Sequence, residues 1–207
     1  MASVTGGVDL GRQRDYSAIV VDHRGDGDTH RLRHIERLRL GTSYPRVIKR
    51  VTQIRDRIKK LTDYTPEILV DATGVGRPVV DEFRSKGIEV RPVTITAGES
   101  VSEEYVDGFH EIHVGKLALI SRLDVLLSDG RIEWDGKTKG GKLLTSELRK
   151  FQIKVSQSGA LQLEAEKSFH DDLVIALALA VFAQPSANGF EAIEWGTPDT
   201  GWRPWPG

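Results

Sequence analysis

The sequence predicts an α/β domain with a mixed central sheet, an antiparallel meander followed by parallel strands, and helices on both faces. Three observations carry that expectation. The first apolar segments, residues 4–10, 17–22 and 31–40, are separated only by short connections, as a meander requires. Beyond residue 40, helical and strand-like stretches alternate, which supplies the crossovers that parallel pairing needs. A stretch opening at Leu173 is apolar almost all round and reads as a buried helix.

Each element has its own local reason. The second and third strands are joined by Asp22-His23-Arg24-Gly25-Asp26-Gly27-Asp28, a glycine-rich and charged turn. Val47, Val51, Ile54, Ile58 and Leu61 recur at helical spacing, with Arg and Lys on the remaining face. Pro66 precedes a short apolar run over 67–71 that reads as a buried strand. Asp71-Ala72-Thr73-Gly74-Val75-Gly76 then forms a loop feeding a helix over 78–86, with proline in its first turn and Gly87 closing it. A strand is expected over 88–95. The segment 108–127 contains a long amphipathic helix on which Leu119, Leu123 and Leu126 share a face, and 143–151 is helical. Segments 151–155 and 160–165 flank Ser156-Gln157-Ser158-Gly159, a hairpin signal. The final helix begins between Ser168 and Asp172. Residues 1–184 form one domain, and 185–207, with Trp195, Trp202 and Trp205, form an extended or disordered tail.

Bulk composition narrows the function only slightly. The 207 residues suffice for one domain with a sizeable core, and 39% hydrophobic with 29% charged residues suits a globular protein. A net charge of -1 does not advertise nucleic-acid binding globally, although local patches could still provide it. The absence of cysteine removes disulfides, thiolate metal sites and cysteine nucleophiles together. No signal peptide is visible, and the longest apolar run is too short to cross a bilayer. The first strand starts almost at once, which suggests a piece of a longer protein.

The chemistry lies in acids at strand and helix ends. Asp9 sits in Gly7-Val8-Asp9-Leu10-Gly11, and Asp71 closes Ile68-Leu69-Val70-Asp71. His170-Asp171-Asp172 opens the buried helix. Taken singly, Asp9 could cap a turn and Asp71 could make an Asx-turn. Ser168 and Asp171 have capping-box spacing, which would account for Asp171 but not for Asp172 one residue further on. Asp172 is therefore the favoured ligand, with Asp171 as an alternative or additional one. Hard oxygen ligands far apart in sequence suit magnesium or manganese, and carboxylates holding two such ions are a common device for cutting phosphodiesters.

In this order, Gly7-Val8-Asp9-Leu10-Gly11, Val70-Asp71-Ala72-Thr73-Gly74-Val75-Gly76 and His170-Asp171-Asp172-Leu173-Val174 resemble the nuclease domain of tailed-phage large terminase subunits. That resemblance spans about residues 4–184 and implies a ribonuclease H-like fold. It implies that Asp9, Asp71 and Asp171 or Asp172, or both, bind Mg2+ or Mn2+, two ions held weakly without DNA, and cleave double-stranded DNA during genome packaging. It also implies an ATPase domain, a portal and a small terminase subunit as partners in the full protein, a monomeric isolated domain, and work in the host cytoplasm. The Trp-bearing tail could dock on the portal. One departure is Ile175, where many relatives carry another acid, which bears on the second metal position. Gly136-Lys137-Thr138 is not a phosphate-binding P-loop, because Arg131 occupies the required glycine position, so this chain should cut DNA but not hydrolyse ATP.

Two rivals share the acidic site or part of it. A Holliday-junction resolvase or transposase-like nuclease would differ in preferring branched DNA. A sugar-kinase or chaperone-type ATPase would use the first motif as a phosphate hairpin but needs a second related domain. A non-catalytic assembly module is the third possibility. For DNA contact, Lys137, Lys139 and Lys142 lie in a glycine-rich loop that would let backbone approach phosphates, and Lys154 and Lys167 flank the hairpin. Arg31, Arg33, Arg37 and Arg39 alternate and would share one strand face, and the next helix adds Arg46, Lys49, Arg50, Arg57, Lys59 and Lys60.

Overall fold

Alternation along the first strand decides which side chains meet which helices. In the computed structural model, which describes residues 3–11, 15–25, 28–62, 65–74, 77–106, 109–151, 154–155, 161–162 and 170–182, that strand is β1 (Ser3–Asp9). Val4 and Val8 enter one core cluster, while Thr5 and Gly7 lie beneath a helix on the opposite face. The chain continues through β2 (Ala18–Arg24), β3 (His30–Arg37), α1 (Tyr44–Thr62), β4 (Glu67–Asp71), α2 (Arg77–Ser85) and β5 (Arg91–Thr96). Then come β6 (Val101–Val106), β7 (Phe109–Gly115), α3 (Lys116–Ser128), β8 (Ile132–Glu133), α4 (Lys139–Lys150), β9 (Lys154–Val155), β10 (Leu161–Gln162) and α5 (Asp172–Phe182).

Among the described residues, eight strands make one sheet in the order β6-β7-β5-β4-β1-β2-β3-β8. β1, β2 and β3 pair antiparallel, whereas β1 with β4, β4 with β5, and β5 with β7 pair parallel. Helices α1 and α2 cover one face through Val47, Val51, Ile54 and Phe83. Helices α3, α4 and α5 cover the other through Leu119, Leu123, Leu144 and most of α5. The mixed sheet with helices on both faces is as the sequence predicts. Among the described residues, no helix is long and apolar enough to cross a membrane.

Three elements differ from expectation. Residues 109–115 are not the start of the α3 helix but strand β7, because Ile112 and Val114 alternate into the core while Glu111 and His113 stay half-exposed. Period two therefore won over the helical reading until Lys116. Its partner β6 was not anticipated: Val101 to Tyr105 are exposed at the sheet edge, so no apolar pattern marks it. α4 begins at Lys139 rather than 143. The glycines at its start serve packing: a Cβ on Gly140 would lie 2.1 Å from the Ile35 carbonyl oxygen. A Cβ on Gly141 would meet its own loop as closely, 2.0 Å from the Asp135 carbonyl oxygen, whereas Gly136 has open space around it. β9 and β10 pair antiparallel where the hairpin is expected, while the rest of that hairpin, Lys167 and the 185–207 tail lie outside the described residues.

Candidate metal centre

Asp9 and Asp71 meet because two strands end side by side. β1 and β4 run parallel with Val8 opposite Val70, so the next residue of each is an aspartate at the same sheet end. Alternation places both on one face: Thr5, Gly7 and Asp9 share a side, and Leu69, which belongs to the α5 core cluster, shares its side with Asp71. Asp71 Oδ1 accepts the Thr73 N–H at 2.8 Å, and Thr73 Oγ1 accepts the Ile95 N–H at 2.7 Å, so the loop after β4 is tied to β5. The Asx-turn and the ligand readings of Asp71 are therefore compatible.

α5 brings the third acid. It crosses β1 so closely that a Cβ on Gly7 would lie 2.0 Å from the Ala176 carbonyl oxygen and 2.6 Å from the Ala180 nitrogen. Thr5 Oγ1 donates to the Ala180 carbonyl at 2.6 Å, and Arg122 Nε donates to the Val181 carbonyl at 3.1 Å, pinning the far end of the helix. Asp172 is then the first helical residue and only 5% exposed, with Oδ2 lacking a hydrogen-bond partner among the described residues. His170 Nδ1 lies 3.7 Å from that oxygen, too far for a hydrogen bond. The neighbouring Asp171 carboxylate is instead engaged by Lys116 Nζ at 3.3 Å.

These carboxylates feel one another. Burial, and then the charges of Asp71, Asp172, Asp171 and Asp15, hold the Asp9 carboxyl well above the usual carboxylate range. Burial pushes Asp172 up to about 6, with His170 opposing and Asp171 reinforcing the rise. Glu147, buried on α4, is pushed up to about 7 by burial, against the Leu173 N–H and Arg37. Among the described residues, no three His or acidic side chains stand close enough together to enclose a metal ion as they are placed. The arrangement is a set of crowded acids that a cation would relieve.

A raised carboxyl binds its proton more tightly folded than unfolded, so stability is lost as pH climbs from the unfolded pKa to the folded one. In chelator, the thermal midpoint should therefore fall between about pH 4, the unfolded carboxylate range, and pH 7. The Asp172→Asn variant should show a shallower fall up to about pH 6, the folded value of Asp172. Thermal scans across this range check it, and parallel curves for the two proteins would contradict it.

Several site residues gave no sequence signal. Glu147 accepts Arg37 Nη1 at 2.8 Å through one oxygen and the Leu173 N–H at 2.9 Å through the other. Arg37 lies 4.4 Å above the Tyr16 ring, and Tyr16 packs edge-on to His170 at 4.7 Å. An acid on an amphipathic helix looks like any solvated one until its partner is known. Lys116 and Asp15 were missed likewise.

The proposed DNA-contacting residues fare unevenly. Lys137, Lys139 and Lys142 are exposed around the start of α4. Lys154 is placed only as backbone in β9. The arginine stripe on β3 is not one face. A register shift leaves Asp22 opposite Leu32 and Val21 opposite His34, so Arg33 bulges between them. Leu32 and Ile35 consequently face the same core, which puts Arg31 and Arg37 on opposite sides. Arg31 pairs with Glu133 at 3.0 Å, and Arg33 is half-buried.

No family model matches the chain. Over 186 residues it is 27% identical to the large terminase subunits of Thermus phage G20c and Thermus virus P23-45, covering 89% of this chain and 32% of each relative. It thus spans about a third of the length of these curated relatives. The crystal structure of the G20c large terminase nuclease with bound magnesium matches with a TM-score of 0.62 at 26% identity, covering 87% of this chain and 81% of that one. The human cytomegalovirus terminase nuclease domain shares the fold at a TM-score of 0.57 and 11% identity, covering 87% of this chain and 82% of that one. The chain is homologous to the large terminase subunits of the Thermus phages, and its ribonuclease H-like mixed sheet matches large terminase nuclease structures.

Proposed function

We propose that this chain is the nuclease part of a large terminase subunit, a divalent-metal-dependent endonuclease that cuts double-stranded DNA during phage genome packaging. The observation that carries the reading is the convergence of Asp9 and Asp71, on adjacent parallel strands, with Asp172 at the helix packed across them. The residues present fit a hard cation. All candidate donors are carboxylate oxygens, one of them, Asp172 Oδ2, is buried without a hydrogen bond, and Asp9 is crowded by like charge. Asp9, Asp71 and Asp172 would hold the metal, with Asp171 at the edge because Lys116 engages it. Bound there, Mg2+ or Mn2+ would supply Lewis-acid charge and a water of lowered pKa. The G20c nuclease structures with magnesium and with cobalt support this choice of cofactor.

The chain's own part is to hold these acids together against their repulsion. Ile175 is 6% exposed and belongs to the core, so the additional acid of many relatives has no counterpart on that turn of α5. Two ions would be held there, weakly until DNA adds phosphate oxygens. Residues 1–184 would be the nuclease unit. An ATPase domain, a portal and a small terminase subunit would be its partners in the host cytoplasm.

Substrate choice tests the reading. The purified protein should cut linear and supercoiled duplex with Mg2+ or Mn2+ and fail in chelator. Cleavage confined to four-way junctions would instead identify a resolvase. Reversing Lys137, Lys139 and Lys142 to Glu together should weaken duplex binding and flatten its salt dependence by about three phosphate contacts. Binding isotherms at several salt concentrations read this, and an unchanged slope would remove that loop from the DNA face.

A further inference from the structure

The N-terminus of α5 is capped from outside its own segment. The first N–H groups of a helix have no partner within it, and ordinarily the side chain of the residue just before the helix accepts one. Asp171 holds that place, since its carbonyl accepts the Ile175 N–H at 2.9 Å. Its carboxylate, however, is turned to Lys116 Nζ. The acceptor for the Leu173 N–H is Glu147 Oε2, from α4, at 2.9 Å. Glu147 is 5% exposed, and its second oxygen is fixed by the Arg37 guanidinium, itself laid over Tyr16.

We propose that Glu147 is a positioning residue: it caps α5 in place of Asp171, and so leaves the Asp171 carboxylate to Lys116 and Asp172 Oδ2 without a hydrogen bond, open to a cation. This rests on the metal-binding reading of Asp9, Asp71 and Asp172. Without Glu147 the open Leu173 N–H lies beside two carboxylates of its own helix start. The nearer one folds back as a cap, as aspartates at this position commonly do. A carboxylate so engaged has lost an oxygen for metal, and the helix start has lost its tie to β3 through Arg37.

Manganese binding tests the idea apart from cleavage. Free Mn2+ is followed by its electron paramagnetic resonance signal during titration of the protein, Asp9→Asn, Glu147→Ala and Glu147→Gln, with thermal midpoints recorded in chelator. The half-saturating Mn2+ concentration should rise about fivefold or more in Glu147→Ala, the factor set by one lost cap, and less in Glu147→Gln, which keeps an acceptor oxygen. Should Glu147→Ala not fold, Glu147→Leu, which keeps the bulk but has no acceptor oxygen, carries the test with the same expected rise. A purely structural role would lower the midpoint in chelator and leave Mn2+ binding by the folded variants at the parent value, which overturns the proposal. Failure of the parent to bind Mn2+, or parent-like binding by Asp9→Asn, would instead overturn the metal reading and the cap proposal with it.

Discussion

Asp9→Asn cuts duplex DNA about three orders of magnitude more slowly than the parent, the scale lost when one preorganised charge-stabilising group is removed, yet unfolds at an equal or higher temperature in chelator. Both halves follow from one fact. Asp9 is half-buried at the end of β1 and faces Asp71, Asp172 and Asp171, so its ionised form is disfavoured without a cation. Asparagine keeps the shape and removes the charge, which relieves repulsion and deletes an anionic ligand. Asp71→Asn should act in the same direction on cleavage. Its amide oxygen can still accept the Thr73 N–H, so the loop after β4 stays in place. Initial cleavage rates and thermal midpoints measured together check the pair. A variant both inactive and strongly destabilised would mean that Asp9 is structural.

Gly7→Ala should damage stability and activity together. Its methyl group would stand 2.0 Å from the Ala176 carbonyl oxygen and 3.0 Å from Leu179 Cβ, and the first of these is helix backbone that cannot rotate away. α5 must lift from β1. Overpacking of this kind typically costs about 1–3 kcal/mol and occasionally more, and a backbone clash belongs at the upper end. Lifting α5 also carries Asp172 away from Asp9, and a misplacement of about 1 Å can cost roughly a hundredfold in rate. Denaturant unfolding and cleavage rates on the folded fraction separate the two effects. Parent-like values for both would mean that α5 does not seat on Gly7 in this way.

The sheet and the candidate ligands were legible because they rest on short-range pattern. β1, β2 and β4 announce themselves as apolar runs ending in an acid or a turn, and α5 as a helix without a polar face. Asp9 and Asp71 are visible as carboxylates where burial is costly. What stayed hidden depends on long-range contact. β6 is an edge strand whose residues Val101 to Tyr105 are all exposed, so alternation does not mark it. Glu147 acquires meaning only from Arg37, 110 positions away, and from the Leu173 N–H. The arginine stripe on β3 failed for a local reason, because one bulged residue exchanges the two faces of every position beyond it. Gly7 does carry a local signal, since glycine within a strand often marks a close backbone approach.

The most direct test is manganese-dependent cleavage of supercoiled and linear duplex by the parent beside Asp9→Asn and Asp71→Asn, each shown to be folded, with chelator as the blank. The account predicts cutting by the parent that chelator stops and both substitutions abolish. Metal-dependent cutting that survives in either folded variant would contradict it, because the activity would then not arise from the acids at the ends of β1 and β4.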